Sequence, residues 1–366
     1  MSPALRRICA LVRKEFLQVI RDPSSIAIAI VQPLFLLFIF GYGISLDATH
    51  VPVACVVDAT GLNAREFIGG LYQSQYFSPR IYGSMAEAEQ AMIKGDAMAT
   101  IWIRSDFERQ AMAGNGKIEV IVNGVDANTA RLVQGYLIGH WGQWLLKQGA
   151  TMGLELKPRI WFNAEVRSRN YLLPGIIAVI MTLTGTLLTA MVVAREWERG
   201  TMEALLSTPV TISEVIVGKV IPYFLLGMAG MGLSVLTARW LFQVPLVGSH
   251  WLLLAVSCLY MLAALAMGLF ISSFSKNQFI AGQLAIITTY LPAFMLSGFI
   301  FDIHSMPTVI QWLTHIIPAR YFVTILQTLF LAGDVHGLVI KNAVYMAGLA
   351  AFFLLLVARN SRKRLD

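Results

Sequence analysis

The residue types that do covalent or metal chemistry are sparse in this chain. Its two glycine–lysine pairs, Gly116-Lys117 and Gly218-Lys219, lack both the first glycine and the hydroxyl residue of a phosphate-cradling G-x-x-x-x-G-K-[ST] loop. No H-E-x-x-H, C-x-x-C or G-x-S-x-G occurs. His304 and His315 share a segment without a carboxylate at ligand spacing, so they read as interface residues rather than metal ligands. The chain is expected to hold no catalytic residue, metal or cofactor of its own. The stretch that stands apart is 195–219, REWERGTMEALLSTPVTISEVIVGK, a charged hook between two apolar runs.

The spacing within the hook predicts two helical pieces. Arg195 sits where an apolar span would leave a bilayer, and Gly200 is a permissive bend. Thr201 is placed to N-cap a short helix, with Glu203 in the first turn where the helix dipole favours an acid. Pro209 ends that helix, because the residue before a proline is pushed out of the α region. About two turns remain, MEALLST, in which Met202, Leu205 and Leu206 at i, i+3 and i+4 form one apolar face. Thr211 to Glu214 reads as a capping box that opens the next helix. So short a helix does not survive alone in water. Its apolar face needs a cover: the bilayer surface, the chain's own first helix, or a groove on another protein.

The elements that hold this hook are set by composition. The chain is 57% hydrophobic and 13% charged, with a mean hydropathy of +0.66, against about 45–50% apolar and about 25% charged in soluble domains. It reads as a polytopic α-helical membrane protein. A helix needs about 20 apolar residues to cross about 30 Å of hydrocarbon. Six stretches qualify: 25–46, 172–194, 217–240, 251–273, 279–301 and 338–358. The run 26–46 is too long for a signal-peptide core and no A-x-A site follows, so it is expected to stay as an anchor. The three cysteines, Cys9, Cys55 and Cys258, are odd in number and far apart, which gives no disulfide framework.

Residues 1–24 predict a basic amphipathic helix on the membrane surface, with a solvated tail as the alternative. With the amino terminus inside, the short inner segments carry thirteen Lys or Arg, and the outer ones only Arg239, Arg320 and Lys341. The positive-inside rule therefore puts both termini, the hook and the basic tail 359–366 in the cytoplasm. The net charge of +7 follows the same rule and does not imply nucleic acid.

Residues 47–171 alternate strand-like runs (VPVACVVDA, AMATIWI, KIEVIVNG) with helical ones (LNAREFIGGLY, MAEAEQAMIKG), which predicts an α/β extracytoplasmic domain between the first and second spans. The five-helix remainder is 172–358. Within it 302–337, broken by Pro307 and Pro318, reads as outer re-entrant or interfacial helices, with a seventh span near 318–333 as the competing reading. The spans hold almost no ionisable group. Their threonines, Thr182, Thr184, Thr186 and Thr189, suit hydrogen bonds between helices, with substrate contact as the alternative. An energy source outside the chain fits this better than an internal ion relay.

Three segments carry a resemblance to a known family. RKEFLQVIRDP (13–23) is similar to an interfacial helix, RIWFNAEVRSRNYLLPGIIAVIM (159–181) to the chain's return into a second span, and 195–219 to a coupling-helix segment. Together they resemble the permease subunits of type-2 ABC exporters, the class with one large extracytoplasmic domain after the first span. The resemblance implies a bacterial inner-membrane subunit that pairs with a second permease, as a homodimer or with a paralogous chain. Each permease would dock a cytosolic ABC ATPase, and ATP and Mg would belong to that partner. The docking element would be Glu196, Glu198, Arg199, Gly200, Thr201, Met202, Glu203, Leu205, Leu206, Thr208 and Pro209. Leu205 and Leu206 would fill a groove, and the three acids would meet basic residues. Some relatives work with a periplasmic adaptor, which 47–171 would contact. The implied activity is ATP-driven export of a hydrophobic or amphipathic compound; a channel or secondary carrier independent of an ATPase is the alternative.

Overall fold

The computed structural model describes residues 3–43, 50–59, 61–112, 116–123, 127–147 and 168–360. The ends of the first expected span (44–46), the stretch 159–167 and the tail 361–366 lie outside the described residues. The chain divides into two compact units, Ser45–Arg159 and the remainder.

The remainder opens with α1 (Pro3–Ile20) and α2 (Pro23–Gly43). Asp22 separates them and caps α2, accepting from Ser24 N at 3.2 Å, Ser24 Oγ at 2.7 Å and Ser25 Oγ at 2.7 Å. α1 is helical over the expected stretch. Leu5, Phe16, Leu17 and Ile20 are exposed, whereas Glu15 and Val19 are buried.

The smaller unit follows in chain order: β1 (Val51–Val57), α3 (Leu62–Gln73), β2 (Phe77–Tyr82), α4 (Met85–Lys94), β3 (Ala99–Ile103), α5 (Phe107–Met112), β4 (Glu119–Val122) and α6 (Ala127–Lys147). The strands form one sheet in the order β2-β1-β3-β4, with β1 parallel to β2 and β3, and β4 antiparallel to β3. Interior β1 reads VPVACVV because both its faces are covered. Val51, Val53 and Cys55 face one cluster with Phe67 and Trp144, while Ala54 and Val56 face Ala88 and Ala91 of α4.

The chain then runs through α7 (Ser168–Glu198), α8 (Thr201–Leu206), α9 (Ile212–Trp240), α10 (His250–Phe274), α11 (Gln278–Leu296), α12 (Thr308–Thr314), α13 (Pro318–Leu331) and α14 (His336–Asn360). Among the described residues, α2, α7, α9, α10, α11 and α14 are long and apolar enough to cross a membrane, and they overlap the six expected stretches. α12 and α13 meet at 81°, a broken hairpin rather than a straight rod. Proline shapes two of the long helices. A proline lacks the N–H and its ring crowds the carbonyl four residues back. α2 and α11 widen into a π turn just ahead of it, Ala27–Val31 before Pro33 and Ile286–Tyr290 before Pro292.

α7 is the axis of the bundle. Its apolar stretch is almost wholly buried, whereas those of α2, α9, α11 and α14 keep most of their residues at the surface. Threonine hydroxyls tie it to its neighbours. Thr182 meets the Tyr260 hydroxyl, Thr189 Oγ1 donates to Leu265 O at 2.8 Å, and Thr289 Oγ1 donates to Thr186 Oγ1 at 3.1 Å. Three of the four singled-out threonines therefore bond between helices; Thr184 Oγ1 is buried without a partner.

Candidate functional site

The hook is built on the end of α7, which continues four residues past the expected 194. That extension keeps Arg195 and Glu196 inside packed helix. Arg195 is a bolt: Nη1 donates to Asp22 Oδ2 at 2.9 Å, Nη2 to Ser24 Oγ at 2.9 Å, and Nε to Gln278 Oε1 at 3.1 Å. One guanidinium so joins α7 to the starts of α2 and α11. Burial opposes ionisation of Asp22, but the Ser24 and Ser25 hydroxyls and Arg195 outweigh it and hold the carboxyl at about 2.

Glu196 corrects an expectation. It is 5% exposed and pairs with Lys219 of α9 and with Lys14 Nζ of α1 at 3.1 Å, so its carboxylate is committed within the chain and is not offered to a partner. Glu15, 1% exposed, completes a four-charge cluster: it accepts from Lys14 Nζ at 2.9 Å and Lys219 Nζ at 3.1 Å. Two cations facing two anions leave no net charge, the condition under which burial of ions is tolerated. Close by, Arg7 of α1 forks onto Glu214, with Nη2 at 2.7 Å and Nε at 3.1 Å from its two oxygens. Glu214 also closes the expected capping box with Thr211. Gly218 lets α1 approach this closely, since a Cβ there would stand 2.8 Å from Leu11 Cβ.

The short helix α8 departs from the expected cap. Gly200 itself is the N-cap residue, in the left-handed region at φ 70° that glycine adopts without strain, and Thr201 Oγ1 instead donates back to Glu196 O at 3.2 Å. Ser207 and Thr208 hydroxyls close the other end, donating to Ala204 O at 2.7 Å and Leu205 O at 2.6 Å. Met202 points inward, packing with Val193, Trp197, Ile216, Leu269 and Val357. The chain's own bundle thus covers part of the apolar face. Glu198 is exposed at its side chain yet engaged, accepting from Gln278 N at 3.1 Å at the start of α11. Arg199, Gly200, Thr201, Glu203, Thr208 and Pro209 are exposed, and Leu205 is half-buried. The side chain of Leu206 lies outside the described residues. The exposed set makes a stub, held at its base by ion pairs and polar at its tip.

Sequence reasoning singled out the tip and missed the base. Lys14, Glu15 and Lys219 form it with Glu196: Lys14 lies 182 residues from Glu196, and Glu15 lies 204 residues from Lys219. The signals were there: one acid on an otherwise basic first helix, and one lysine inside an apolar run.

Among the described residues, six helices long and apolar enough to cross a bilayer, with a rigid charged stub between two of them, define the class of a polytopic membrane protein. Comparison with known proteins agrees. The ABC-2 family transporter protein profile matches residues 23–359. The chain is 43% identical over 369 residues to the probable multidrug ABC transporter permease YbhS of Escherichia coli K12, covering 99% of this chain and 98% of that one. It is 27% identical over 334 residues to the probable multidrug ABC transporter permease YbhR of the same organism, covering 89% and 90%. It is 20% identical over 337 residues to ABC transporter G family member 20 of Dictyostelium discoideum, covering 88% of this chain and 46% of that protein. This chain belongs to the ABC-2 transporter family.

Proposed function

We propose that this chain is the permease subunit of an ABC exporter, moving a hydrophobic or amphipathic drug- or lipid-like compound out of the cytoplasm or inner leaflet. ATP and Mg are bound by a separate ABC ATPase, which hydrolyses the ATP and seats on the stub at 198–209, and a second permease completes the membrane part. The observation that carries this reading is the stub's base: salt bridges join the end of α7, the start of α9 and the interfacial α1, so a push on α8 is delivered to several helices at once. An apolar cavity of about 350 Å³ supports the cargo class; its walls include Met267, Phe270, Phe274 and Phe353, with Thr182 and Thr289 as polar points.

By the distribution of Lys and Arg, the stub, α1 and the carboxy terminus face the cytoplasm, all six long helices span the inner membrane, and 47–171 is the extracytoplasmic domain. A periplasmic adaptor would be met there. Cross-linking from an engineered cysteine on that domain tests the contact, and absence of an adduct removes an adaptor from the scheme.

The docking assignment has a direct test. Leu205→Asp and Glu203→Lys should each abolish co-purification of the permease with its ATPase while leaving membrane insertion and yield unchanged. Undiminished ATPase recovery with both variants rejects the stub as the docking element. Transport by the purified permease in vesicles without any ATPase rejects the function.

A further inference from the structure

The bundle end away from the stub holds a second polar site. A cavity of about 380 Å³ lies between the end of α11, the bend leading into α13 and the first turns of α14. Its walls are rich in hydrogen-bond donors without partners. Arg320 donates hydrogen bonds through Nη1, toward Thr314 Oγ1, Gln311 O at 3.4 Å and His315 Nδ1 at 3.0 Å, and its guanidinium carbon lies 5.9 Å from the centre of the Tyr321 ring. Its Nε and Nη2 have no partner among the described residues. Lys341 has neither a hydrogen bond nor a carboxylate among them. Lys341 is exposed and Arg320 half-buried, but two other polar atoms on the wall are buried and unsatisfied: Ser297 Oγ, in a residue 1% exposed, and Gln327 Nε2. A buried donor without a partner costs about 1–3 kcal/mol, so such atoms are seldom left idle.

The cavity also holds one acid. Asp302 caps the short turn after α11, its Oδ1 accepting from His304 N at 3.2 Å. Two unpaired cations outnumber it. The unsatisfied groups come from three separate segments, and each can donate. They fit a ligand with several acceptor oxygens facing different ways, better met by a tetrahedral phosphate than by a planar carboxylate. Lys341 lies five residues into α14, about 7.5 Å from its end, a depth suited to a lipid headgroup rather than to an acyl chain.

We propose that this cavity binds a phosphate group, carried either by a phospholipid headgroup or by a free phosphate compound. On the orientation given above, it faces the outer leaflet. The bound phosphate would bridge α11, α13 and α14 at the end of the bundle remote from the ATPase.

The test uses the purified full chain in a neutral maltoside detergent. Its thermal midpoint is followed while dihexanoylphosphatidylglycerol or inorganic phosphate is titrated in. A saturable upward shift is expected with at least one ligand. Lipid alone identifies the headgroup as the source, and inorganic phosphate identifies free phosphate as sufficient. Arg320→Gln and Lys341→Gln should each weaken the apparent affinity at least tenfold, and Lys94→Gln, on the other unit, should not. Lys341 makes no contact needed for folding, so its variant keeps the test valid if Arg320→Gln folds poorly. No shift with either ligand overturns the proposal, as does equal weakening by Lys94→Gln. Leu205→Asp should leave phosphate binding intact, so failure of the docking reading and failure of this one are separable.

Discussion

At the stub end of the bundle, Lys14, Lys219 and Arg195 each find a carboxylate within 3.1 Å, and Arg7 forks onto Glu214. At the other end, Arg320 and Lys341 find none among the described residues. The difference separates two uses of charge. Paired and buried ions fix the relative placement of helices, because removing one partner strands the other in a medium of low dielectric. Cations without a carboxylate at a cavity wall keep donors for a ligand: Arg320 ties α13 to α12 through Nη1 alone and leaves Nε and Nη2 outside those bonds.

The sharpest way to break this contrast is Lys219→Met. It leaves Glu15 and Glu196 sharing only the half-exposed Lys14, and should cost about 3–5 kcal/mol, read as a large fall in thermal midpoint or loss of folded yield. Adding Glu15→Gln and Glu196→Gln to that variant should recover most of the loss, and failure to recover it would show that Lys219 acts by packing rather than by charge. Next in size is Gly218→Val. Its side chain collides with Leu11 and should cost about 1–3 kcal/mol, or lever α1 away, which limited proteolysis after Arg13 and Lys14 would reveal.

Asp22 gives a smaller, pH-dependent effect. Its folded carboxyl sits at about 2, below the ordinary 3.8, so the stabilisation it lends is complete above about pH 4. That stabilisation drains away as pH falls toward 2, and a spin label on α1 should report loosening over that window. Asp22→Asn should bring the loosening to neutral pH and flatten the acid response. The smallest effect belongs to the other end: with no phosphate compound added, Lys341→Gln should change stability by no more than about 0.5 kcal/mol. A loss comparable to that of Lys219→Met would mean that the two ends are not built differently.

Much of this architecture can be read from the chain, because its signals are local. Hydrophobic runs mark the long helices, alternation marks the strands, and Thr211 with Glu214 marks a helix start within four residues. What escaped is long-range. Glu196 looks like a partner-facing acid in sequence because nothing nearby in the chain says that α7 extends to residue 198 or that Lys219 packs against it. Thr201 looks like the better cap, since a hydroxyl normally is; the left-handed turn at Gly200 moves the helix start one residue earlier. The π turns before Pro33 and Pro292 are a third instance. The prolines announce a disturbance, and only the surrounding packing decides that it becomes a widened turn.

The deep burial of α7 has a consequence for how such a protein can diversify. A rod enclosed on all sides by close-packed neighbours tolerates little change in side-chain volume. New cargo preferences would therefore be expected to accumulate on α11 and α14, whose outer faces are free to vary, while the axial helix stays fixed as the shaft on which they are remodelled.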